Sequence, residues 1–502
     1  MEITMLYHST RNKKISVEAA QAIKQGLSVD GGLFVPESFP QISLADMSYL
    51  SELKYTERAK FILKKFLTDF TDEEVTDCVT KAYTKQKFGT EAIAPLYKLN
   101  DSTYFLELWH GPTCAFKDMA LQILPHLLTT SMKKTNENKE VVILVATSGD
   151  TGKAALEGFK DVKGTKIIVF YPNNGVSEIQ KLQMVTQDGS NVGVFAVNGN
   201  FDDAQSGVKK IFTDDEYKNM LAENGVSLSS ANSINWGRLV PQIVYYFSAY
   251  ADLAANKEIT LGDKINIVVP TGNFGNILAA YYAYKMGLPV NKFICASNEN
   301  NVLTDFIKTG VYNKNRPFHT TMSPSMDILI SSNLERFLYD LTGENDNIVA
   351  EWMNALNTDG QYKVSDEVFE KLTSIMWAGC ADDTQTSESI KKTYTDYAYV
   401  IDTHTAVGKC VYDKYVAETG DNTKTVIAST ASPFKFNQNV LISLDGMNAV
   451  VGKDEFELLD MLSAKSGLNI PTSLSELKTK TVIFDTVCEK EHMPRVVSEF
   501  LV

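Results

Sequence analysis

Leu108-Trp109-His110-Gly111-Pro112-Thr113-Cys114-Ala115-Phe116-Lys117-Asp118 is the stretch on which the reading of this chain turns. A Gly-Pro turn opens it. Apolar residues at Ala120, Ile123, Leu124, Leu127 and Leu128 then share one helical face. The fixed φ of Pro112 suits a first helical turn, which predicts that Lys117 sits in the opening turns of a helix. Pro125 lacks a backbone donor and is expected to kink that helix or end its first segment. An amine shouldered by Cys114, Ala115 and Phe116 loses solvation, and the neutral amine so favoured is the form that condenses with carbonyls. Taken alone, the same residues also describe a surface lysine on an amphipathic helix.

Outward from this stretch, short β-branched runs alternate with helical patterns. Val141–Ala146, Lys166–Tyr171, Asn191–Val197, Ile265–Val269, Phe293–Ser297, Ala398–Ile401 and Thr425–Ala428 read as buried strands. Between them Lys153–Phe159, Asp202–Phe212, Val240–Ala255 and Ile277–Met286 read as helices. The alternation predicts an α/β fold with largely parallel sheets covered on both faces, and ligands at the carboxyl ends of the strands. The first hundred residues look mostly helical. Val17–Lys24 ends at Gly26, Leu50–Phe66 follows, and Asp72–Tyr83 is capped by Thr71 ahead of three acidic residues. Gly343–Ser389, rich in Asp, Glu, Asn, Thr and Ser, reads as an exposed helical insertion with loops.

Two glycine loops interrupt strand–helix junctions. In Pro270-Thr271-Gly272-Asn273-Phe274-Gly275-Asn276 the glycines let backbone N–H groups converge at a helix start, an arrangement that suits a phosphate. Thr147-Ser148-Gly149-Asp150-Thr151-Gly152 is a second such loop. Neither has the spacing of a Walker loop or of a dinucleotide fingerprint, and each by itself is also a plain tight turn.

HGPTCAFKD, TSGDTG and PTGNFGN, in this order, resemble the threonine synthase family, pyridoxal-phosphate enzymes related to the tryptophan synthase β chain. SANSINWGR at 230–238, SPSMDILISSN at 323–333 and DTHTAVG at 402–408 extend the resemblance over most of the chain. It implies pyridoxal-phosphate fold type II and makes Lys117 the Schiff-base lysine. It puts Gly272, Asn273, Phe274, Gly275 and Asn276 on the cofactor phosphate and Thr430 at the pyridine nitrogen. The loop holding Ser148 and Asp150 then falls at the substrate carboxylate, although Asp150 repels an anion unless turned away. Arg238 is the candidate for the substrate phosphate, because a guanidinium binds phosphate bidentately, with a structural ion pair as the alternative. His404 reads as a positioning residue. The family commonly has proline where Thr403 stands.

The 502 residues, 44% hydrophobic and 22% charged, suffice for two to four domains. Soft boundaries near 95, 140 and 235 divide a helical region (1–95), a large cofactor domain (96–140 with 235–502) and a smaller mobile α/β domain (141–234). With 48 basic and 62 acidic residues the net charge is −14, which opposes nucleic acid or an anionic membrane as a partner. Six scattered cysteines without a Cys-x-x-Cys pair, and six histidines without ligand spacing, predict free thiols and no metal. No apolar run has the length of a membrane span, and Met1–Lys14 lacks a signal-peptide core, so a cytoplasmic setting is expected. The expected activity is conversion of O-phospho-L-homoserine and water to L-threonine and phosphate by a monomer or homodimer. The alternatives are a phospho-lyase that releases a keto acid and a non-catalytic metabolite binder. No activation site for S-adenosylmethionine is legible in the first hundred residues.

Overall fold

The computed structural model describes residues 4–147, 149–174 and 176–501. Its largest sheet has six strands. They run in the order Met376–Cys380, Val290–Ser297, Ile265–Pro270, Thr425–Ser429, Thr103–Glu107 and Leu96–Lys98, and all but the last are parallel. A second, wholly parallel sheet orders Val487–Glu489, Val192–Asn198, Thr165–Pro172, Glu140–Ala146 and Val226–Ser229. The central strands of both sheets are buried on both faces, so they read as unbroken Val/Ile/Leu runs. The fold is the expected α/β class with parallel sheets. No helix among the described residues is long and apolar enough to cross a membrane.

The helix Trp236–Ala255 holds the large sheet to the N-terminal region, and almost every residue along it is buried. Trp236 packs between Tyr7 and Phe66, with ring centroids at 5.1 and 5.6 Å. Each such fully buried aromatic contributes roughly 1.5–3 kcal/mol by leaving water. Pro241 sits in the second turn, and the helix runs on past it to Ala255.

The N-terminal hundred departs from the helical expectation. Leu6–Ser9, Asn12–Glu18 and Phe34–Pro36 form an antiparallel sheet before the helices Leu44–Ser51, Tyr55–Phe66 and Asp72–Ala82. The edge strand Asn12–Glu18 has two lysines, and only Ile15 and Val17 mark its inward side, so its period of two is faint. Thr71 does cap the third helix, in a capping box with Glu74. Ala398–Ile401 is not a strand. Ala398 ends the helix Asp383–Tyr397 in a left-handed conformation, and Asp402 caps the helix Thr403–Thr419 four residues later. Tyr399, Val400 and Ile401 are buried all the same, so the apolar run reported burial and not conformation. The polar stretch 343–389 contains the strand Met376–Cys380, an edge of the large sheet, as well as helices.

Candidate active site

Three neighbouring strands of the large sheet each release one site loop from the carboxyl end. Ile265–Pro270 leads into Thr271–Asn276, Thr425–Ser429 into Thr430, and Thr103–Glu107 into the loop that carries Lys117. Residues 112–117 are not the helical turn that Pro112 suggested. Cys114 has a left-handed backbone (φ 59°), and the helix Asp118–Leu121 starts only after Lys117. Cross-links to the Thr430 loop hold the backbone off the helix: Phe116 N–H donates to the Thr430 carbonyl at 2.8 Å, Ser432 N–H to that of Cys114 at 3.0 Å, and Ala115 bridges Ala431. Asp118, buried, accepts from the Thr113 amide at 2.8 Å and its hydroxyl at 2.7 Å. Burial pushes its carboxyl up to about 6. Pro125 falls in the first turn of Leu124–Lys134, so the helical pattern breaks between 121 and 124 as expected.

The Lys117 amine lies 3.1 Å from Ser325 Oγ and 3.4 Å from Asp150 Oδ2. Burial is the main reason its pKa falls below the ordinary lysine value. Asp150 opposes the shift, while the Lys435 and Arg238 cations add to it. Asp150 opens the helix Asp150–Phe159 and does not face the site as a bare anion. Lys435 Nζ stands 2.6 Å from Oδ1, Gln180 Nε2 donates to Oδ1 at 3.1 Å, and Ser325 Oγ to Oδ2 at 3.2 Å. Burial alone would raise this carboxyl, but the Lys435 and Lys117 charges outweigh it and hold it far below the usual range. Behind Ser325, its N–H donates to His404 Nε2 at 3.1 Å, so His404 Nδ1 carries the proton toward Asp402, 2.9 Å away. His404 thus positions the Ser325 loop.

The Gly272–Asn276 loop turns its carbonyls away. Gly272 O accepts from Ser331 Oγ at 2.7 Å, and Asn273 O from the Asn333 amide at 3.0 Å. The left-handed residue in it is Phe274 (φ 64°), while Gly272 and Gly275 have ordinary backbone angles. Their freedom is spatial. A Cβ on Gly272 would stand 2.7 Å from the Ser325 carbonyl oxygen, whereas one on Gly275 would meet nothing closer than Asn333 Nδ2 at 3.5 Å. Gly275 therefore has room for a methyl at ordinary contact distance from Asn333 and Gln242, at the start of the helix Gly275–Lys285, whose first-turn amides have no partner within the helix. Two buried donors nearby lack partners. One is Asn276 Nδ2, whose Oδ1 takes bonds from Tyr245 and Tyr246, and the other is Arg238 Nε. Arg238 donates to the Ala231 carbonyl and has no acidic partner among the described residues, so the structural ion pair is absent there. Burial lowers its pKa to about 10. Orphaned donors, a helix start and a cation without a counter-ion fit anionic oxygens.

Thr430 is buried, and its hydroxyl makes no hydrogen bond to any described residue. Ser148 lies outside the described residues. Its loop is pinned by Thr147 Oγ1, which accepts from the amides of Gly149 and Gly152 at 3.0 Å each. Two site residues carried no role in the sequence reading. Ser325 lay inside a quoted motif, and Lys435 stood unremarked between Phe434 and Phe436, five residues after Thr430.

A family model described as "Threonine synthase N terminus" matches residues 6–83, and one described as "Pyridoxal-phosphate dependent enzyme" matches residues 89–372. "Threonine synthase-like 1" of Homo sapiens is 40% identical over 435 residues, covering 85% of this chain and 58% of that protein. This chain therefore spans less than two thirds of that relative's length. The threonine synthase of Saccharomyces cerevisiae is 36% identical over 475 residues, covering 89% and 90% of the two chains. The crystal structure of the pyridoxal-phosphate-bound threonine synthase from Brucella melitensis superposes with a TM-score of 0.87 at 33% identity, over 99% of both chains.

Proposed function

The chain belongs to the threonine synthase family of pyridoxal-phosphate-dependent enzymes, and on that premise we propose that it converts O-phospho-L-homoserine and water to L-threonine and phosphate. The observation that carries this reading is the Lys117 amine, its pKa lowered by desolvation, within reach of Asp150 and Ser325 at the end of the sheet that also presents Gly272–Asn276 and Thr430. In this reading Lys117 holds pyridoxal 5'-phosphate. Gly272, Asn273, Phe274, Gly275 and Asn276 take its phosphate, and Thr430 hydrogen-bonds its ring nitrogen. When bound, the cofactor supplies an electron sink for the negative charge that develops beside the substrate's amino group.

The chain's own residues supply the rest. Lys117, freed, moves protons at the substrate's Cα and Cβ, since one flexible amine reaches adjacent carbons and its lowered pKa favours the basic form. Ser325 and Asp150 hold that amine in reach. A threonine hydroxyl at position 430 does not force a proton onto the ring nitrogen, which leaves selectivity to these positioned groups. Arg238, a buried cation without a carboxylate, takes the substrate phosphate. The first-turn amides of Asp150 and Thr151, with Ser148, receive the substrate carboxylate, and Lys435 screens Asp150 from it. Docking of the smaller sheet unit over the cleft excludes stray water until threonine leaves. A cytoplasmic setting suits the six free thiols.

The test is to give the cofactor-loaded protein O-phospho-L-homoserine and identify the products. Threonine and phosphate in equal amounts support the proposal. Phosphate with a keto acid would make the protein a phospho-lyase, and a cofactor spectrum without reaction would make it a binder.

The two loop glycines separate fold from binding. Gly275→Ala is expected to unfold like the parent and to bind pyridoxal phosphate about 10–100-fold more weakly, because its methyl meets protein only at ordinary contact distance but blocks close approach to the helix start. Gly272→Ala is expected to lose stability as well, since its methyl meets backbone. Thermal midpoints and cofactor titrations of both variants check this. Unchanged affinity in Gly275→Ala would reduce the loop to a turn.

A further inference from the structure

Lys435 and Asp150 come from different sheets. Asp150 opens the helix that follows Glu140–Ala146 in the five-stranded unit. Lys435 sits in the turn Pro433–Phe436 that follows Thr425–Ser429 in the six-stranded unit. The lysine side chain is 0% exposed and the aspartate 5%, with Nζ 2.6 Å from Oδ1. The second bond of Lys435, 2.9 Å to the Thr113 carbonyl, stays within its own unit and reaches the loop that carries Lys117. Gln180, from the five-stranded unit, holds Asp150 from behind.

A fully buried ammonium is costly unless an anion meets it. The carboxylate that meets Lys435 arrives only with the other unit. When the units part, water must enter to solvate both charges; when they dock, the pair closes in a dry contact. The other oxygen of the same carboxylate lies beside the Lys117 amine. We propose that Lys435 is a positioning residue, a latch between the two sheet units that seats Asp150, so that docking and delivery of a carboxylate to Lys117 are one event. The latch stands on this geometry alone; its consequence for Lys117 rests on the proposed function.

The charges around Lys117 are Asp150, Lys435 and Arg238. The titratable groups around Asp150 are Lys435, Lys117 and His404, and Asp118 and the Cys114 thiol face Lys435. Removing the Lys435 cation leaves Lys117 as the nearest cation to Asp150, which keeps its hydrogen bonds from Gln180 and Ser325. The Lys117 amine then holds its proton to higher pH, and the rising limb of activity against pH moves up with it.

The experiment uses the holoenzyme of Lys435→Met, which keeps the side-chain stem and loses the charge. Hydrogen exchange without substrate is read on the helices Asp150–Phe159 and Glu178–Val185, with Trp236–Ala255 as internal reference. The expected result is about tenfold faster exchange in the first two with the reference unchanged, and a rising limb of kcat about one pH unit higher. Should this variant not fold, Lys435→Gln, which retains a donor for the Thr113 carbonyl, takes its place. Exchange equal to the parent's in both helices would overturn the latch. Faster exchange with a fixed pH limb would overturn the coupling to Lys117. A parent that makes no threonine, beside a variant that exchanges faster, sinks the proposed function and leaves the latch standing.

Discussion

Lys117→Ala is expected to lose turnover by about 10³-fold or more and, with cofactor removed from both proteins, to unfold at the same temperature as the parent or higher. The two halves have separate causes. Among the described residues the Lys117 amine is the one that reaches both Ser325 Oγ and Asp150 Oδ2, where the cofactor and substrate are proposed to meet, while the Lys435 amine is tied to the other oxygen of Asp150 and to the Thr113 carbonyl. The burial of Lys117, however, is a cost to the fold. Desolvation lowers its pKa, so the unfolded chain binds a proton there more readily than the folded chain. The parent's stability from this group therefore falls as pH drops below the ordinary lysine value, and the alanine variant escapes that loss. Asp150 keeps Lys435 as partner when Lys117 is gone. Rapid-quench product analysis and calorimetry at pH 7 test both halves. A variant that turned over at a tenth of the parent rate, or melted many degrees lower, would remove Lys117 from the centre of the site.

Asp150→Asn has the opposite balance and is expected to cost about 3–5 kcal/mol of stability at pH 7, the usual result of stripping the counter-ion from a buried charge. Lys435, fully buried, then keeps only the Thr113 carbonyl and a neutral amide. The pH dependence has a definite sign. The folded-state carboxyl lies far below its unfolded value. Its contribution is thus fully present above about pH 4 and fades as pH falls below it. Parent and variant should differ by a constant amount from about pH 8 to 5 and converge in stronger acid. Urea titrations across that range decide it. A gap that stayed constant to pH 3 would mean that the lost stability comes from packing and not from charge.

Much of this site is legible in the sequence because its parts are local. A buried strand, a glycine loop and a helix start are contiguous, so Thr147–Gly152 and Thr271–Asn276 can be found without knowing where the chain goes next. What is not local escapes. The Lys117 loop looks helical from Pro112 onward; only the antiparallel bridge to Ala431, more than 300 residues away, explains why it is not. Lys435 gives no signal of its own, because a lysine between two phenylalanines ordinarily lies at a surface with its stem packed. The partner that justifies its burial is on another sheet. Met376–Cys380 is hidden for a related reason: an edge strand with a tryptophan, an alanine and a glycine shows little periodicity, and its polar neighbours set the tone of the region. Ala398–Ile401 errs the other way, since four apolar residues satisfy a strand template as well as a buried loop.

The parallel pairing of Val487–Glu489 with Val192–Asn198 has a consequence in time. The two strands are about 290 residues apart, so at a ribosomal pace of about 5–20 residues per second the earlier one waits roughly 15–60 seconds for its neighbour. Through that interval the rest of the smaller sheet is already present, with the edge Ala196–Asn198 lacking its strand partner. The nascent polypeptide thus carries a sticky border throughout synthesis of its larger half. Translation speed and chaperone supply, more than the final stability of the product, should govern how much active protein a cell recovers.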